Sequence, residues 1–401
     1  MNKKLMAVAV AGALAAPAAA FAQASNVQIY GRANLGIDVF SATGATGGSA
    51  LDWKSRTRTF DNGSRLGVRG EEALGNGLKA IFLMENGVAM DTGNGNGQNG
   101  TANTSVGLAA RLAYVGLAGN WGQVTFGKQN VFWANGQHEQ WQANWGSVGN
   151  QFFTGGGGRG MGVNVNRTAN TMQYVTPVWS GVSLTLQYAP TAQELAPAGA
   201  KADGRIAAFT LQGNHANGII WAWDYVDNRQ NTPAVGNQPR NQGNKLRGGW
   251  LFKPGANISL FWVQNKADNG TGINSGSGAA GATVSATGLP EAGASLKQQG
   301  WGIVGEYMWG NLGLEANWSK QSNITGCAVS ANCADTNNTT WFLGARYNLS
   351  KRTSLLAFYL DYKNASNYNS DPAAGGMSSV VPPLAVGADP KVYGVGLLHN
   401  F

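Results

Sequence analysis

The feature that most constrains this chain is a period-two alternation of apolar and polar side chains, repeated in short segments. From Val27 the odd positions read Val27, Ile29, Gly31, Ala33, Leu35, Ile37 and Val39, and the even ones Gln28, Tyr30, Arg32, Asn34, Gly36 and Asp38. The same register recurs at 182–188, 219–225, 312–319 and 341–348. Alternation of this kind gives each strand one apolar face. The connections alternate too. Short, turn-like ones fall at 72–77, 118–122, 178–181, 214–218, 254–256, 309–311 and 349–352. Long ones, rich in Gly, Asn, Ser and Ala, fall at roughly 41–62, 89–107, 130–167, 191–203, 229–244, 268–296, 322–338 and 364–389.

Seven short and eight long connections imply sixteen strands, with both chain ends on the short-turn side. A β-sandwich alternates in and out but does not sort its loops by length. A barrel in an outer membrane does, with short periplasmic turns and long extracellular loops. An open sheet edge in lipid would leave backbone groups unpaired, so the sheet must close. The sequence therefore predicts an all-β, sixteen-stranded antiparallel transmembrane barrel around a water-filled lumen, its apolar side chains looking outward at acyl chains. Tyr174, Tyr188, Tyr225, Trp262, Trp318, Trp341, Tyr347 and Tyr362 fall near strand ends, where interfacial girdles sit. Composition excludes other classes. With 14 Trp the chain is not disordered, and with 12 Pro and no Gly-X-Y period it is not collagen-like. No apolar run of about 18 residues follows the N-terminus, so no helical span is expected.

Residues 1–22 read as a secretory signal peptide, with Lys3 and Lys4 in the basic region and Leu5 to Ala16 in the apolar region. Cleavage fits after Ala22 or after Ala24, leaving 23–401 as the barrel domain. Export through an oxidising periplasm makes Cys327 and Cys333 a local disulfide rather than a metal site, since no His or acidic residue lies between them. The last strand, KVYGVGLLHNF, ends on Phe401, like the C-terminal signal that outer-membrane proteins present to the barrel assembly machinery.

Several stretches resemble the trimeric Gram-negative porins of the β-proteobacterial kind: VQIYGRANLGIDVF (27–40), SRLGVRGEEALGNGLKAIFLMENG (64–87), RLAYVGLAGNWGQVTFGKQ (111–129), NRTANTMQYVTPVWSGVSLTLQYA (166–189), YNLSKRTSLLAFY (347–359) and VGLLHNF (395–401). The resemblance implies a homotrimer in the outer membrane, among lipid and lipopolysaccharide, with the third long loop (about 130–167) folded into the pore. It also favours cleavage after Ala22. It implies a pore constriction to which Arg65, Arg111 and Arg167 contribute. The chain departs from the family pattern at Asn34, where an Asp is usual, and at Ala73 in the Glu72-Ala73-Leu74-Gly75 turn.

Alternation places the arginines independently. Arg65 and Arg69 share the face opposite Leu66 and Val68, and Arg32 lies opposite Ile29 and Leu35, so all three should point into the lumen. Arginine on the lipid side costs about 2–4 kcal/mol near the bilayer midplane. The third loop carries Glu139 as its one carboxylate, beside His138, and Arg159. A charge excess of this sign in a narrow aqueous pore implies anion preference. Trp133, Trp141, Trp145, Phe152 and Phe153 in that loop suit packing against the wall, or a lining for aromatic or sugar-like solutes. No enzyme emerges: the three His (His138, His215, His399) have no nucleophile motif near them. No cofactor or metal motif appears, and the net charge of +8 is scattered rather than gathered into a nucleic-acid-binding stripe. The expected function is passive diffusion of small hydrophilic or anionic solutes. A channel selective for an organic anion is the second reading, and a non-channel barrel acting as an adhesin the third.

Overall fold

A computed structural model of the chain describes residues 26–91, 109, 111–131, 167–190, 204–229, 240–268, 295–369 and 384–401. The signal segment and the cleavage site lie outside these residues, as does most of the third loop. The described residues form one antiparallel sheet of seventeen strand segments. They run β1 (Asn26–Thr43), β2 (Trp53–Asp61), β3 (Arg65–Gly75), β4 (Leu78–Gly87), β5 (Leu112–Gly119), β6 (Gly122–Asn130), β7 (Arg167–Val175), β8 (Val182–Ala189) and β9 (Arg205–Asn214). There follow β10 (Ile219–Arg229), β11 (Arg240–Lys253), β12 (Ala256–Asp268), β13 (Ser295–Trp309), β14 (Leu312–Gln321), β15 (Asn338–Asn348), β16 (Thr353–Asn364) and β17 (Asp389–Asn400).

The sheet closes on itself. β1 pairs with β17 from Arg32↔Asn400 to Thr43↔Asp389, and Gly31 and Phe401 exchange both backbone hydrogen bonds at 3.0 and 3.1 Å. Closure satisfies the edge groups that lipid could not. β2 and β3 both pair with β1, end to end, so they are two halves of one position in a sixteen-position wall. Between Leu35↔Asp61 and Arg32↔Arg65, β1 advances three residues and its partner four; the extra residue breaks the strand. Asp61 caps the break: its Oδ1 accepts the backbone N–H of Gly63 and of Ser64, both at 2.9 Å.

The seven short turns fall where the sequence places them, and the long connections alternate with them. The first long connection is shorter than the 41–62 expected. It spans 44–52, and β2 already begins at Trp53. Ser55, Thr57 and Thr59 alternate with Arg58 and Phe60 there, so the outer face carries hydroxyls and no apolar period marks the strand.

Along each strand the large apolar side chains look outward, as with Ile29 at 72% exposed, and Thr, Gln, Asn and Asp line much of the inside. One part of the wall departs from the expectation that greasy groups all face lipid. Inside the β15–β16–β17–β1–β2 seam, Phe40, Trp53, Phe60, Phe342, Phe358 and Leu360 pack into a luminal apolar cluster. Tyr362, expected in an outer girdle, is buried in this cluster instead, because it shares the inward register of Phe358 and Leu360.

Cys327 and Cys333 are joined, with Cα atoms 5.9 Å apart, and pack on Ala267, Leu296 and Ile324 beside the single helical turn α1 (Ser330–Cys333). The bridge closes a loop with a sequence separation of 6. Cys327→Ser with Cys333→Ser is expected to lower unfolding stability by at most about 2 kcal/mol. The checks are the denaturant midpoint, which should fall, and single-channel conductance, which should stay put.

Candidate constriction and vestibule

The strand break, the start of β5 and the start of β7 bring four guanidinium groups to one region of the inner wall. β1 and β3 place Arg32 and Arg65 directly opposite each other in the ladder. Like charges at paired positions repel, and the neighbouring groups show how the pair is held. Arg32, 6% exposed, donates from Nη2 to the Asn62 carbonyl at 2.9 Å, within the strand break. Asn34 braces the same break: its Nδ2 donates to the Asn62 carbonyl at 3.2 Å, and its backbone N–H donates to Ser64 Oγ at 2.9 Å. Here the amide suits the site, because an aspartate has no Nδ2 donor for that carbonyl.

Glu85, on the inward face of β4, is the anion at the centre. Its carboxylate lies 2.8 Å from Arg111 Nε and 3.5 Å from Arg65 Nε, and it accepts the Tyr30 hydroxyl at 3.1 Å. The Arg111 backbone N–H also donates to the Glu85 carbonyl at 2.9 Å, which fixes where its side chain starts. Arg167, opening β7, interacts electrostatically with Arg111, Arg65 and Glu85, and Asp61 with Arg32. Among the described residues the cluster therefore holds four cations against two carboxylates. It sits where the long connections after β4 and β6 leave the wall.

Arg69 does not join this cluster. Four residues further along β3, about 13 Å toward the short turns, it donates from Nε to Gln28 Oε1 at 3.1 Å and stacks on the Tyr30 ring at 5.1 Å. It shares the inward register of Arg65, which says nothing of height. Glu139 and Arg159 lie outside the described residues, as do Trp133, Trp141 and Trp145. Phe401 ends the β17 wall and is half exposed.

Three residues of the cluster escaped the sequence reading: Tyr30, Asp61 and Glu85. β4 reads AIFLMENG and is apolar on both faces, so Glu85 stands in no visible alternation. Its one signal was its inward parity with Leu83. A second charged set, also unforeseen, lies on the β11–β15 wall. Glu306 faces Asn257 and Glu315 across its two ladders, with an Asn257 Nδ2 hydrogen bond to its carboxylate, and Arg247 donates from Nη2 to Ser259 Oγ at 2.8 Å.

A closed barrel with an apolar exterior, a polar interior and a charged luminal cluster defines an outer-membrane channel. The chain belongs to the Gram-negative porin family, which it matches over residues 7–367. It is 29% identical to an outer membrane porin protein of Bordetella pertussis, over 91% of this chain and 95% of that one. It is also 29% identical to the major outer membrane protein P.IB of Neisseria meningitidis, over 47% of this chain and 50% of that one. Among solved structures it is similar in fold to the anion-selective porin from Comamonas acidovorans, with a TM-score of 0.70 and 19% identity, covering 94% of this chain and 100% of that chain. OmpT of Vibrio cholerae in its trimer form superposes with a TM-score of 0.62 at 13% identity, covering 94% of this chain and all of that one.

Proposed function

We propose that this porin is a passive diffusion channel for small hydrophilic solutes that prefers anions. The observation that carries the reading is the cluster of Arg32, Arg65, Arg111 and Arg167 around Glu85 and Asp61. Low-dielectric walls focus that excess positive charge on any ion in the pore, which raises local anion concentration and opposes cations. The third loop completes the constriction in this reading, with Glu139 and Arg159 contributing. The anion selectivity stated for the Comamonas acidovorans structure agrees with it.

The working form we propose is a homotrimer embedded among outer-membrane lipid and lipopolysaccharide, with Phe401 serving as its assembly signal. The OmpT trimer supports this. So does the row of Ser55, Thr57 and Thr59 on the outward face of β2, since hydroxyls suit a protein neighbour better than acyl chains.

Reversal potential in a KCl gradient tests the selectivity. The wild-type channel is expected to reverse on the anion side. Arg65→Glu and Arg167→Glu should each lower the chloride-over-potassium permeability ratio by about tenfold, as expected for a charge reversal within a few ångströms of the ion path. Cation-side reversal by the wild type would overturn the anion preference.

A further inference from the structure

Below the constriction, on the short-turn side, the inner wall holds a niche of about 420 Å³, within the range of small-molecule sites. Across β1, β3, β4 and β5 one ladder row reads Gln28, Arg69, Leu83 and Tyr114. The next inward-facing row toward the turns adds Glu71 and Ile81. All six line the niche. Cation, aromatic ring and aliphatic groups thus meet in one concave patch.

The geometry of Arg69 leaves it ready for a ligand. Its Nε is committed to Gln28, and its guanidinium carbon lies over the Tyr30 ring, 5.1 Å from the centroid. Tyr30 is itself pinned by its hydroxyl on Glu85. The ring has room because position 67 is glycine: a Cβ there would lie 2.5 Å from a Tyr30 ring carbon. Arg69 is exposed and forms no ion pair among the described residues, while the neighbouring Glu71 is neutralised by Lys79 at 2.9 Å. The outer edge of the guanidinium, with Nη1 and Nη2, therefore offers a two-pronged donor to a carboxylate. Tyr114, Leu83 and Ile81 offer the apolar surface beside it.

We propose that this niche is a binding subsite for carboxylates with an aromatic body: the carboxylate on Arg69, the ring against Tyr114, Leu83 and Ile81. The subsite deepens the anion-channel reading and rests on it, naming a solute class that the constriction alone does not select. A small inorganic anion would gain only the charge, whereas an aromatic carboxylate also buries its ring.

Block of KCl current by benzoate, added on the short-turn side of channels in planar bilayers, tests the proposal. Benzoate should block at concentrations about tenfold below acetate, since ring burial adds what acetate lacks. Arg69→Gln should raise the benzoate midpoint by about tenfold or more, through loss of a charge-assisted pair. Tyr114→Ala should raise it severalfold and leave acetate as it was. Arg65→Gln should leave the benzoate midpoint within about twofold, being about 13 Å away. A benzoate midpoint that ignores Arg69→Gln and Tyr114→Ala but collapses in Arg65→Gln would place the solute at the constriction and overturn the subsite. Reversal potential in the same membranes separates the two readings. Cation-side reversal with an Arg69-dependent benzoate block would sink the selectivity claim alone and support the subsite.

Discussion

Glu85→Ala is expected to be the most damaging single change in the pore, destabilising the barrel by about 3–5 kcal/mol while driving selectivity further toward anions. Removing one member of a buried ion pair leaves the other charge uncompensated, and that loss exceeds the value of the pair itself. Arg111 is 7% exposed and loses a carboxylate at 2.8 Å; Arg65 loses the same group at 3.5 Å, and Tyr30 its acceptor. Among the described residues, four guanidiniums would then face one another with Asp61 as the remaining carboxylate of the cluster. The temperature at which the folded, fast-migrating form disappears on SDS gels reads the first effect, and the KCl reversal potential reads the second. Glu85→Gln separates charge from shape. It keeps an acceptor for the Tyr30 hydroxyl, so it should recover part of the stability and none of the selectivity. A Glu85→Ala barrel as heat-resistant as wild type would show that lumen water already carries the solvation of these arginines.

The barrel was legible in the sequence because its two signals are physical necessities of crossing lipid with strands. Outward side chains such as Val27, Ile29 and Leu35 must be apolar, and loops must differ in length on the two sides of the membrane. Parity alone turns Arg65 and Arg69 inward, yet parity is blind to height: Arg65 lies 3.5 Å from Glu85, and Arg69 sits four residues nearer the short turn. The rest was hidden where alternation fails. β2 shows hydroxyls outward and Arg58 and Phe60 inward, so no apolar period marks it as a strand. Glu85 is masked by a strand apolar on both faces. The one-residue break at Asp61–Ser64 has no pattern of its own, because a bulge is defined against a partner strand. All three lie in the part of the wall that holds the arginine–Glu85 cluster. The sequence departs from the local rule where the pore needs charge and curvature rather than a plain lipid-facing ladder.

Phe358→Ala is expected to loosen the closing seam of the barrel by about 3–5 kcal/mol, the usual cost of emptying a packed phenylalanine site. Phe358 is 6% exposed and meets Phe60 edge to face, with centroids 5.9 Å apart. The ladder explains why rings fit inside here. One row runs Leu356, Gly396, Gly36, Phe60, and the next Phe358, Gly394, Asp38, Arg58. Glycine thus occupies both β17 positions and one β1 position of these luminal rows, and the large side chains of β16 and β2 reach over it. A Cβ on Gly36 would fall 2.8 Å from the Phe60 ring, so the ring and the glycine require each other. The seam joins the first and last strands, with Gly31 bonded to Phe401, and carries no covalent link, so side-chain packing across it resists fraying. Truncation should therefore lower both the heat-modification temperature and the denaturant midpoint, and also raise single-channel conductance, since the vacated volume adjoins lumen water. Phe358→Leu, which keeps most of the apolar contact, should lose less than half as much stability. Higher conductance with unchanged heat stability would identify these rings as a pore lining and remove the seam from the account of how the barrel stays closed.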